Sequence, residues 1–106
     1  MNKETKKLIE KAKDRLQAVY GDRLHGLVLF GSESRGEAES DSDLDILVLL
    51  DGPISLWEEI STITDTLYPL QLEIDRSLSA IPADFKAYET QDRSLYLTAK
   101  REGIEI

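Results

Sequence analysis

Apolar residues recur along residues 3–20 with the period of an α-helix. They lie three to four positions apart from Leu8 to Tyr20, which places them on one face of a helix with charged residues on the other. Gly21 follows at a position where helices commonly end. The pattern predicts an amphipathic first helix that packs one face against a core.

Two short apolar runs follow, separated by a polar segment. Residues 27–30 and 44–50 each have the length and composition of a buried strand. After a turn at residues 51–53, apolar residues return at helical spacing and predict a second helix that Pro69 ends. The core-facing residues of this helix are expected to be Leu56, Ile60, Ile63 and Leu67, together with Trp57.

The C-terminal part predicts one more strand and further helices. Apolar and polar residues alternate over residues 70–75, as in a strand with one polar face. Pro82 is expected to open a helix, and a last helix runs from about Asp92 to Gly103. The whole chain, residues 1–106, is predicted to form a single α/β (α+β) domain with a small mixed sheet backed by helices.

Composition narrows the classes of function. Thirteen basic against 21 acidic residues leave a net charge of -8, which repels a phosphate backbone and argues against a nucleic-acid partner. No apolar run reaches the roughly 18–20 residues of a membrane-spanning helix. The charged N-terminus does not resemble a signal sequence, and cysteine is absent, which excludes disulfides and thiolate metal sites. A cytoplasmic location is expected.

Candidate chemistry is concentrated between the first two predicted strands. Gly31 allows a tight turn and a close approach of the backbone to a ligand, and Ser32 offers a hydroxyl and an amide to a phosphate. Ten residues later come Asp43 and Asp45, whose side chains share one face because they are two apart on a strand. Two such carboxylates repel each other by roughly 4 kcal/mol at an effective dielectric constant near 20. Mg²⁺ or Mn²⁺ would relieve this repulsion and would also bind substrate phosphates.

A third carboxylate is expected from the predicted strand over residues 70–75. Glu73 and Asp75 both lie on its polar face, about 6–7 Å apart along the strand. Either acid could complete a site in which three carboxylates hold two metal ions for displacement at phosphorus. The pattern of residues leaves both assignments open.

The arrangement of Gly-Ser, ten residues and Asp-x-Asp resembles the signature of the DNA-polymerase-beta-type nucleotidyltransferase superfamily. Within it, the chain most resembles the minimal nucleotidyltransferases, small antitoxin-like proteins found with HEPN-type partners. Arg35-Gly36 inside the loop, Ser42 before the first aspartate, and residues 100–104 near the chain end extend the resemblance. The fold that this resemblance implies is the polymerase-beta-type nucleotidyltransferase fold.

The resemblance also implies roles for the candidate metal ligands. Asp43 and Asp45 would ligate both metal ions. Asp75 would be the third catalytic acid and metal ligand, because the third acid of the family commonly follows an apolar residue in the third strand. Glu73 is the alternative.

Nucleotide binding is implied for four residues, namely Gly31, Ser32, Arg35 and Ser42. Gly31 and Ser32 would hold the β- and γ-phosphates of ATP, the implied substrate. One departure from the family pattern concerns Glu33, since relatives often have basic residues early in this loop.

The implied reaction is transfer of AMP from ATP to an acceptor hydroxyl, with release of pyrophosphate. The resemblance suggests that the acceptor is a tyrosine of a HEPN-type toxin, in a homo- or hetero-oligomeric assembly, so that the chain acts as an antitoxin. A rival hypothesis is an antitoxin of weak or lost activity that neutralises its partner by contact alone. An enzyme that modifies a small molecule is a third hypothesis, disfavoured because 106 residues leave no room for an accessory domain.

Overall fold

The computed structural model describes residues 3–31 and 43–106. A short 3-10 turn, Gly21–Arg23, links the first helix to the first strand. The remaining elements are, in chain order, α1 (Lys3–Tyr20), β1 (Leu24–Phe30), β2 (Leu44–Leu50), α2 (Leu56–Leu72), β3 (Leu78–Asp84), α3 (Phe85–Glu89), α4 (Ser94–Glu102) and β4 (Ile104–Glu105). The mixed α/β class predicted from the sequence is confirmed.

The four strands form one mixed sheet in the order β3-β2-β1-β4. β1 runs antiparallel to β2 and to β4, whereas β2 and β3 are parallel. Neither of the two central strands, β1 and β2, is exposed at a sheet edge, and their burial on both faces explains why they read as continuous apolar runs.

Helices cover both faces of the sheet. α1 and α2 pack on the face formed by Leu44, Ile46 and Val48 of β2. α3 and α4 pack through Tyr88 and Tyr96 on the opposite face, formed by Leu47 and Leu49 of β2 together with one side of β1. Alternate residues of β2 therefore serve two separate cores. Asp45, which has the parity of Leu47, belongs to the α3–α4 face.

None of the helices within residues 3–31 and 43–106 combines the length and apolar character that a bilayer crossing requires.

Several predicted elements are confirmed closely. α1 spans residues 3–20 as predicted, and Gly21 ends it with a positive φ of 57°, a conformation that glycine adopts without steric cost. β2 begins and ends at the predicted residues. β1 begins three residues before the predicted start, at Leu24. In these segments, a strong helical periodicity or a continuous apolar run was sufficient to predict the element.

The prediction of a strand over residues 70–75 is wrong. α2 continues past Pro69 to Leu72, and residues 73–77 form the connection to β3. Leu70 is buried beside Leu67, so the apolar residue that suggested a strand is instead one turn further along the core-facing side of α2. Pro69 costs the helix one hydrogen bond, which the burial of Leu70 offsets.

Pro82 does not open a helix. It lies inside β3, opposite Val48 of β2. β3 is an edge strand of the sheet. A proline is tolerated in an edge strand because no further strand has to pair with the N–H that proline lacks. The next helix begins three residues later, at Phe85, where the Asp84 side chain accepts hydrogen bonds from the backbone N–H groups of Lys86 and Ala87.

Trp57 was expected in the core, and this is wrong. Its side chain is 78% exposed, and Leu56 is 48% exposed. Both stand in the first turn of α2. Ile63 and Leu67 are buried as predicted.

A buried acid of α2 binds residues at the end of α1 and in the turn that follows it. Glu59 is only 7% exposed. Its carboxylate accepts hydrogen bonds from Arg23 at 3.2 Å and from the Tyr20 hydroxyl at 3.2 Å, while Arg23 also donates to the carbonyl oxygens of Asp51 and Pro53. This network fixes the β2–α2 loop against the end of α1. Burial and the neighbouring Glu59 carboxylate raise the pKa of Tyr20 to about 12.

Arg23→Ala is expected to lower the free energy of unfolding by about 2 kcal/mol, because it leaves the buried Glu59 carboxylate without its cation. Arg101→Ala, which removes an exposed arginine of α4, is the control and should cost less than about 0.5 kcal/mol. Urea unfolding of both variants measures the difference. Equal effects would show that the Glu59 network does not stabilise the fold.

Candidate active site

Asp45 lies in a row of three residues that crosses the sheet. It pairs with Phe30 of β1 on one side and with Ser79 of β3 on the other. Neighbouring strands are roughly 4.8 Å apart, so the side chains of this row are close neighbours. Asp43 precedes the first residue of β2 by one position and is exposed. Asp45 projects toward the α3–α4 face at the end of the sheet where β1 ends, and Asp43 lies near enough for its charge to act on Asp45.

The Asp45 carboxylate lies directly against the backbone of Gly31. Gly31 has a φ of 79°, in the left-handed region that side chains rarely adopt. A Cβ at this position would lie 2.6 Å from Oδ2 of Asp45, which is closer than van der Waals contact allows. The backbone conformation therefore favours glycine here, and any Cβ would displace the Asp45 carboxylate.

The environment of Asp45 disfavours its charged form. The pKa of its carboxyl is raised, first by burial and second by the negative charge of Asp43. A cation between the two carboxylates would reverse both effects. Mg²⁺ and Mn²⁺ prefer oxygen ligands, and Mg²⁺ is commonly bound by one or two carboxylates together with substrate phosphates. The donor set of Asp43 and Asp45 therefore fits one such ion.

The structure does not bring Glu73 or Asp75 to this pair. Both acids lie in the connection between α2 and β3 instead of on a strand. Within residues 3–31 and 43–106, histidine, aspartate and glutamate side chains form no group of three or more that could hold a metal ion. The prediction of Asp75 as the third carboxylate, with Glu73 as the alternative, relied on a strand over residues 70–75, and these residues do not form a strand.

Ser79 is the residue of this region that sequence reasoning missed. It takes the place beside Asp45 because β3 begins at Leu78, which pairs with Leu44. Neither the apolar pattern of residues 78–81 nor the acids before it marks that register. The remaining predicted nucleotide-binding residues, Ser32, Arg35 and Ser42, lie outside the described residues.

The chain belongs to the nucleotidyltransferase domain family. The model of that family matches residues 6–99, which include every element that forms the site. No curated protein matches the chain.

Solved structures share the fold. A candidate nucleotidyltransferase from Sulfolobus solfataricus has a TM-score of 0.62 at 17% identity, over 93% of this chain and 78% of that one. A mutant of the toxin–antitoxin pair MntA-HpeT gives 0.57 at 20% identity, over 92% and 70%. A toxin–antitoxin structure with AMP-PNP gives 0.50 at 23% identity, over 91% and 70%. The nucleotidyltransferase fold expected from the resemblance is thereby confirmed.

Proposed function

We propose that this chain is a metal-dependent nucleotidyltransferase that transfers AMP from ATP to a hydroxyl of a partner toxin and so acts as its antitoxin. The observation that carries the proposal is the Asp45 carboxylate held against Gly31 and beside Asp43, in a chain of the nucleotidyltransferase domain family. The acceptor is a tyrosine of a HEPN-type toxin. Two structures of similar fold, described as toxin–antitoxin complexes, one of them with AMP-PNP, support this choice of partner and nucleotide.

Each residue of the site has a distinct part in this proposal. Asp43 and Asp45 hold Mg²⁺ or Mn²⁺, which when bound neutralises phosphate charge and orients the triphosphate. Gly31 has no side chain, so its backbone can lie against the Asp45 carboxylate and close to the phosphates that the ion binds. The remaining residues proposed to bind the nucleotide are Ser32, Arg35 and Ser42. In the reaction the acceptor oxygen bonds to the α-phosphorus, the bond from the α-phosphorus to the bridging oxygen breaks so that pyrophosphate leaves, and the hydroxyl proton passes to solvent.

A second function is favoured by one observation. Among the described residues, no third acid joins Asp43 and Asp45, and general acid–base catalysis typically contributes 10²- to 10⁴-fold to a rate. An antitoxin that binds nucleotide but neutralises its partner by contact alone is therefore the alternative.

One incubation separates the two functions. The chain is mixed with α-labelled ATP, Mg²⁺ and a HEPN-type toxin as the acceptor, and label on the toxin is measured by gel and mass spectrometry. We expect AMP on a tyrosine of the toxin, and none after that tyrosine is replaced by phenylalanine. Neutralisation of the toxin without any label would select the contact-only antitoxin.

Metal and nucleotide together should stabilise the fold. With ATP and Mn²⁺ at 100 times the dissociation constant of the complex, the free energy of unfolding should rise by about 2.7 kcal/mol. Differential scanning fluorimetry measures the shift in Tm, with EDTA and with ATP alone as controls. The same Tm in all three conditions would contradict a working nucleotide site.

A further inference from the structure

Ser79 stands beside Asp45 in the sheet. It pairs with Asp45 in the parallel β2–β3 ladder, and paired residues of adjacent strands project from the same face of the sheet. Ile81 and Ala83, two and four residues further along β3, belong to the core under α3 and α4, which confirms that Ser79 points to that face. Ser79 is partly exposed, so a ligand can reach it.

The other described residues beside Asp45 on this face of the sheet, in its own row and in the next, are not acidic. Phe30 takes the opposite side, on β1, and the next row of the same face is Val28, Leu47 and Ile81, which is apolar. A serine hydroxyl is neutral and has no carboxylate lone pairs to offer a metal ion or a proton. The described part of the sheet thus provides two anionic ligands and an uncharged third position.

We propose that Ser79 occupies the third ligand position of this site, and that its neutral hydroxyl limits the described residues to holding one divalent ion per bound nucleotide and slows transfer. The inference rests on the proposed nucleotide site and deepens it by setting its metal stoichiometry. A carboxylate at position 79 would create a second ion site between itself and the Asp43–Asp45 pair, and would provide a group able to take the proton of the acceptor hydroxyl.

The test compares Ser79→Asp with wild type. Mn²⁺ bound in the presence of AMP-PNP is counted by electron paramagnetic resonance, and pyrophosphate release from ATP is followed with the acceptor toxin present. We expect one ion for wild type and two for the variant, with release faster by about 100-fold. Ser61→Asp is the matched control, because it makes the same change at an exposed position of α2, on the opposite face of the sheet. It should behave as wild type.

A second readout does not depend on activity. Three carboxylates without a metal ion repel one another, so Ser79→Asp should lower the Tm in EDTA and gain more from Mn²⁺ with AMP-PNP than wild type does. Ser61→Asp should show neither change.

The outcomes distinguish this inference from the function on which it rests. If wild type binds no Mn²⁺ with AMP-PNP, the proposed nucleotide site fails. If wild type already binds two ions, or if Ser79→Asp binds only one or releases pyrophosphate no faster, the nucleotide site stands and the assignment of Ser79 is overturned. The wild-type count decides the question even if Ser79→Asp does not fold.

Discussion

Gly31→Ala should abolish tight metal–nucleotide binding and lower the free energy of unfolding by about 2 kcal/mol. The φ of 79° costs a residue with a side chain about 1–2 kcal/mol. The new methyl group would also lie 2.6 Å from Oδ2 of Asp45, so the carboxylate must move away from the position where it can share an ion with Asp43. Mutations of residues that hold metal ligands in place typically weaken metal binding by about 10- to 100-fold. Here a ligand itself is displaced.

Gly21→Ala is the matched control for this prediction. Gly21 also has a positive φ, 57°, but a Cβ there would meet nothing within 4 Å. This variant should lose about 1 kcal/mol of stability from backbone strain and keep its affinity for Mn²⁺ with AMP-PNP. Calorimetric titration and urea unfolding separate the two effects. Equal losses of affinity in both variants would mean that contact with Asp45 is not what Gly31 protects.

Asp43→Asn is expected to reduce AMP transfer by at least about a thousandfold while stabilising the metal-free fold. The substitution removes one ligand of an ion that supplies several kcal/mol of transition-state stabilisation, and each 1.36 kcal/mol is a factor of ten in rate. It also removes the charge that, after burial, is the second cause of the raised pKa of Asp45. The gain in stability should be at most about 1 kcal/mol, because Asp43 is exposed and solvent screens its charge.

The same substitution should change how stability depends on pH. Because the pKa of Asp45 is raised in the folded state, the folded chain binds this proton more tightly than the unfolded chain does. The contribution of Asp45 is therefore favourable below the unfolded pKa and is lost as the pH rises through the folded pKa. Asp43→Asn lowers the folded pKa toward its ordinary value, so this loss should shrink.

Urea unfolding between about pH 4 and 7 measures the pH dependence, and Asp65→Asn, which makes the same change on the exposed side of α2, is the control. Full transfer activity in Asp43→Asn would remove Asp43 from the metal site. An unchanged dependence on pH would show that Asp43 does not act on Asp45.

Those parts of the protein whose structural causes are local could be predicted from the residue pattern. The apolar period of residues 3–20 specified α1, and the continuous apolar run of residues 44–50 specified a central strand, because burial on both faces requires apolar residues at every position. The spacing of Gly31, Asp43 and Asp45 predicted a paired-carboxylate site, since residues two apart on a strand share a face. The family model supports the class of protein that this spacing indicated.

Which residue stands beside Asp45 depends on packing between segments distant in sequence. Residues 70–75 alternate as a strand does, yet burial of Leu70 against the core keeps residues 70–72 in α2, and β3 begins only at Leu78. A shift of register moves every residue of a strand relative to its neighbour, and this one puts Ser79, instead of Asp75 or Glu73, next to the aspartate. The position of Pro82 in an edge strand depends in the same way on contacts between segments distant in sequence. Register is set by long-range packing and ladder hydrogen bonds, and local residue patterns do not encode it.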